Sequence, residues 1–147
     1  MSDIIFYVHL LAASSWIGGS MLLFVLGVAM RDKEAIKTVY HYIGPVYGYF
    51  ESVVLVLLLS SGGFMLYTKG LWSAVEAGGS FAEILVTKMV LVSLITFSTV
   101  VHMFISLKAH GRERSMREKI VSRATSMMIF FLNLFILFYA IKLRDFL

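Results

Sequence analysis

The chain has 147 residues, 59% of them hydrophobic, with 13 Lys and Arg against 9 Asp and Glu and a formal net charge of +4; its mean hydropathy is +0.86. A water-soluble domain of this length needs far more polar surface, so the composition excludes a soluble enzyme and points to an integral membrane protein, expected in a bacterial inner (cytoplasmic) membrane. There is no cysteine, which excludes disulfides, thiolate metal sites and covalent haem attachment through a C-x-x-C-H motif. Any cofactor must be held by His, Met, Lys, Tyr or carboxylate groups.

A transmembrane helix takes ~20 apolar residues, and four stretches are long enough: 4–30, 43–67, 81–107 and 121–141. They use most of the chain and predict an all-α fold, a single domain over 1–147 built as a membrane four-helix bundle. The first span carries Asp3 and no Lys or Arg at its amino end. Its apolar run exceeds the ~7–15 residues of a signal peptide, so it is expected to be retained as a helix. Within it, in "YVHLLAASSWIGG", His9 and Trp16 stand seven residues apart and share a helix face. Ala12, Ala13, Ser14, Ser15, Gly18, Gly19 and Ser20 supply the small side chains that let helices approach closely in lipid.

The second span is expected to begin near Ile43, with His41 at its mouth, Pro45 in its first turn and Glu51 roughly 12 Å deep. A carboxylate at that depth must be protonated or paired, and it offers a proton or polar site. Gly44, Gly48, Ser52, Ser60, Ser61, Gly62 and Gly63 again suit close packing, or clear space beside a flat ligand. The stretch from Thr68 to Ser80 reads as a loop. In the third span Lys88, Thr99, His102 and Ser106 fall on nearly one stripe, and in the fourth Asn133 is either interhelical glue or part of a pocket.

The connections orient the spans. Arg31, Lys33 and Lys37 follow the first, and Lys108, Arg112, Arg114, Arg117, Lys119 and Arg123 follow the third. Short cytoplasmic loops collect such residues, so both basic connections are expected in the cytoplasm and both termini on the other side. The positive charge is thus a topology signal and no sign of nucleic-acid binding; anionic lipid headgroups are its natural partners. His110, in the second basic connection, reads as solvated.

An ionisable side chain in a span is costly and normally marks a site. Counting ~1.5 Å per residue, His9 lies about 8 Å and Lys88 about 10 Å from the outer surface, while His102 lies about 8 Å from the inner one. Histidine among small and aromatic residues suits axial ligation of haem b, with aliphatic and aromatic walls for the porphyrin. His9 is the ligand available in the outer layer, and His41 and His102 could pair in the inner one. Lys88 could meet a propionate. One or two haems fit this layout, and two would stand about 20 Å apart along the helix axis.

The His9 to Trp16 pattern resembles the first helix of two small membrane families, the CopD-type copper-resistance domain and the HemJ-type protoporphyrinogen oxidase. "YHYIGP" before the second span and "TKMVLV" around Lys88 resemble HemJ-type segments too, so that the likeness covers most of the chain. It implies a haem b ligand at His9 and a functionally important Lys88, and hence electron transfer or oxidation of a porphyrin. The chain departs from the pattern where Thr99 stands in place of the histidine found about three turns after that lysine, where "KLRDFL" ends the sequence and where the fourth-span Asn-Glu-x-Pro is missing. It therefore reads as a divergent member.

Two other classes remain. Copper handling of the CopD type would use soft ligands. The nine methionines permit it, although Met65, Met89, Met103, Met127 and Met128 are scattered. A non-catalytic accessory subunit of a membrane complex would use its His and Lys groups for packing alone. The expected partners are membrane lipids, a redox protein or quinone, and a second copy of the chain.

Overall fold

The computed structural model describes residues 2–108 and 115–144, which form five α-helices and no strand: α1 (Ser2–Ala29), α2 (Lys33–Thr68), α3 (Leu71–Ala77), α4 (Ser80–Lys108) and α5 (Met116–Arg144). Four of them are long and apolar enough to cross a membrane. His110, Arg112 and Arg114 lie outside the described residues. The chain divides into two compact units, Met1–Leu71 and Trp72–Leu147. Each is a helical hairpin, α1 packed on α2 in one and α4 on α5 in the other.

Three boundaries differ from the hydropathy reading. Helix α2 starts ten residues before the expected span, at Lys33, because the Asp32 carboxylate accepts from the Glu34 amide at 3.0 Å and caps it. At 36 residues it is about 54 Å long, well beyond the ~30 Å hydrocarbon core. Pro45 consequently lies in the helix interior and not in the first turn, where it has no N–H to offer the His41 carbonyl. Helix α5 likewise starts at Met116, five residues early, behind a capping box: Ser115 N–H donates to Glu118 Oε2 at 2.8 Å and Glu118 N–H to Ser115 Oγ at 3.3 Å.

The third difference is α3, seven residues of helix in the expected loop. It is bracketed by Gly70 at φ 61° and by Gly78 and Gly79 at φ 75° and 92°, left-handed conformations that only glycine adopts without strain.

In the N-terminal hairpin, α2 presents Tyr40, Tyr47, Val54 and Ser61 at steps of seven residues, the repeat of an interhelical seam. The Tyr40 hydroxyl donates to the Leu23 carbonyl at 3.0 Å. The Tyr47 ring sits against Gly19, where a Cβ would come within 2.8 Å of Tyr47 Cε2. Ser61 meets His9, and Val54 is buried.

The C-terminal hairpin has a polar interior. Ser98, Thr99, Ser122, Thr125 and Asn133 are all buried. Counted from the helix ends that face the connection, Thr99 and Thr125 are each nine residues in, His102 and Ser122 six, and Ile95 and Ile129 thirteen.

Candidate functional site

The site with the most definite chemistry is built on His9, in the third turn of α1. Its Nδ1 lies 2.8 Å from Ser61 Oγ. The Ser61 hydroxyl points its own proton at the Leu57 carbonyl, 2.5 Å away, with the Leu58 carbonyl at 3.3 Å. A hydroxyl has one proton, so toward the imidazole this oxygen acts as acceptor and Nδ1 carries the hydrogen. In the neutral ring the basic lone pair is then on Nε2. A serine in the second helix thus selects the tautomer of a histidine in the first.

Gly62 makes that bond possible. A Cβ there would stand 3.3 Å from His9 Cε1 and 3.7 Å from Nδ1, so the missing side chain lets the imidazole edge lie against α2. Trp16, two turns along the same α1 face, is buried at 4% exposure, while His9 is half-buried. The small residues have more specific jobs than clearing space for a flat ligand: Gly62 receives an imidazole and Gly19 a phenol. Gly18, Gly44, Gly48 and Gly63 have no atom within 4 Å of an added Cβ.

The other candidate residues fall as follows. Glu51 is half-buried on α2, one turn after Tyr47. His41 is exposed, its ring edge-on to Tyr42 at 5.3 Å between centroids; it occupies the third turn of α2, where the sequence reading had it at the mouth of a span. In the C-terminal hairpin Lys88 and His102 are half-buried on α4, and Asn133 is buried on α5. Among the described residues no three His, Asp or Glu side chains gather into a metal-ligating group.

Sequence reasoning had singled out His9 and Trp16 but had counted Ser61 and Gly62 as packing residues. The signal that could have raised them is the seven-residue spacing from Tyr40 through Tyr47 and Val54 to Ser61, which marks the α2 seam without naming its partner. No family model, curated protein or solved structure matches the chain.

Proposed function

We propose that the protein is an integral membrane haem b protein in which Nε2 of His9 is an axial ligand, acting in electron transfer or in the oxidation of a porphyrin. The observation that carries this reading is the hydrogen bond between His9 Nδ1 and Ser61 Oγ at 2.8 Å. Histidines that bind a metal donate their other ring N–H to a nearby acceptor, which fixes both the tautomer and the plane of the ring. Here the acceptor is built into the facing helix, and the donor set fits haem iron, for which one or two neutral imidazoles suffice. When bound, haem supplies one-electron exchange at its iron. The chain's own residues do the rest: Ser61 holds the imidazole, Gly62 admits it, and the buried Trp16 indole provides an apolar wall that keeps water away.

The basic connections support a topology in which the 31–37 segment and the connection after α4 face the cytoplasm and His9 lies toward the opposite surface.

The test is a visible spectrum of the full chain purified in lipid nanodiscs and titrated with haem. The expected outcome is stoichiometric uptake with a Soret band and a reducible α-band, abolished in His9→Ala. His102→Ala and His41→Ala report whether either supplies the second axial position. Absence of uptake, or uptake unchanged in His9→Ala, overturns the assignment.

A further inference from the structure

The turn at Gly78 and Gly79 sets α3 beside the first half of α4, and the two helices enclose a groove of about 500 Å³, a size within the range of small-molecule sites. On α3 its wall is Trp72 and Val75; on α4 it is Val86, Met89, Val90 and Leu94, a stripe at helical spacing. Ser93 also lines the groove. Its hydroxyl donates to the Met89 carbonyl at 3.0 Å, so the wall is apolar in effect. The buried Ala82, Leu85, Ile95 and Thr99 belong to another side of α4, whereas Val86, Val90 and Leu94 are exposed.

A second cavity of about 430 Å³ continues from the first through the shared Val86, and Glu83 and Thr87 are among the residues that line it. These two side chains offer only acceptors. The Thr87 proton is spent on the Glu83 carbonyl at 2.7 Å, which leaves the lone pairs of Thr87 Oγ1. The Glu83 carboxylate is exposed and pairs with no group among the described residues. A negative mouth lined with acceptors is complementary to a cationic N–H donor.

Depth completes the match. Glu83, Val90 and Leu94 share one stripe of α4, and the eleven residues from the first to the last rise about 16 Å. That is one leaflet of a hydrocarbon core ~30 Å thick. The groove is thus polar and acidic at one end and apolar for the length of one acyl chain.

We infer that this groove binds a single aminophospholipid, its ammonium group at Glu83 and Thr87 Oγ1 and one acyl chain between α3 and α4 against Trp72. The site lies wholly within the unit Trp72–Leu147 and stands if the His9 assignment fails.

The test is quenching of Trp72 fluorescence in the full chain, held in phosphatidylcholine nanodiscs that contain a small fraction of brominated phosphatidylethanolamine or brominated phosphatidylglycerol with the same acyl chains. Subtracting the signal of Trp72→Phe removes the contribution of Trp16. Wild type should associate with the phosphatidylethanolamine about threefold more strongly than with the phosphatidylglycerol, the scale of an exposed ion pair, and Glu83→Gln should bring the two level. Equal quenching of the wild type by both lipids, or a preference that survives in Glu83→Gln, overturns the inference. So does a Trp72 that no brominated lipid quenches, the outcome expected if another helix fills the groove.

Discussion

Replacing Ser61 by alanine isolates the bond that fixes His9. The Leu57 carbonyl loses little, because in the α2 ladder the Ser61 backbone N–H remains its partner. The loss therefore falls on His9 Nδ1–H, which stands 2.8 Å from the missing oxygen. A donor left unsatisfied in a protein interior costs about 1–3 kcal/mol, but interhelical hydrogen bonds in membranes average only ~0.6 and reach ~1.7 kcal/mol. His9 is half-buried, so the lower scale governs and a coupling of about 1 kcal/mol is expected, roughly fivefold in the unfolding equilibrium. The assay is a double-mutant cycle of His9→Ala and Ser61→Ala, with reversible unfolding followed in mixed detergent micelles. In parallel, 15N NMR of the wild type should show Nδ1 protonated and Nε2 as the basic nitrogen. A coupling within about 0.3 kcal/mol of zero, or a ring protonated at Nε2 alone, would refute the reasoning.

The close approach of Tyr47 predicts that Gly19→Ala destabilises the N-terminal hairpin. The new Cβ meets Cε2 at 2.8 Å and Oη at 3.0 Å, so the ring must move at a cost of about 1–3 kcal/mol. Gly18→Ala, next to it but with nothing within 4 Å, should change stability by less than about 0.5 kcal/mol; equal effects in the same unfolding assay would show that the Tyr47 contact does not matter. Ser115→Ala removes the hydroxyl that caps α5 and should cost about 1 kcal/mol. Amide exchange over the first turn from Met116 should quicken while the middle of α5 stays unchanged, and uniform protection would deny the cap its role.

Four long helices were legible because each carries an apolar run that no soluble fold could hide. The early start of α2 was not, since hydropathy ends where lipid ends whereas a helix ends where its caps are, and here Asp32 lies in the polar stretch beyond. Helix α3 is shorter than any apolar window, yet the glycines at 70, 78 and 79 that delimit it were visible. His9 stood out as an imidazole among aliphatic groups. Its partner did not, because Ser61 is fifty-two residues away and only the register of α1 against α2 brings them together.

Two cross-helix hydrogen bonds of the N-terminal hairpin, Tyr40 to the Leu23 carbonyl and His9 with Ser61, are anchored fourteen residues apart on α1, a distance of about 21 Å. A hairpin fastened at one point can pivot or slide; fastened at both ends it can do neither unless both bonds break together. Axial slippage by one turn, the smallest step that restores ridge-and-groove packing, would move each donor about 5.4 Å from its acceptor. The pair should therefore behave as a rigid strut, and motion within the protein should arise outside it.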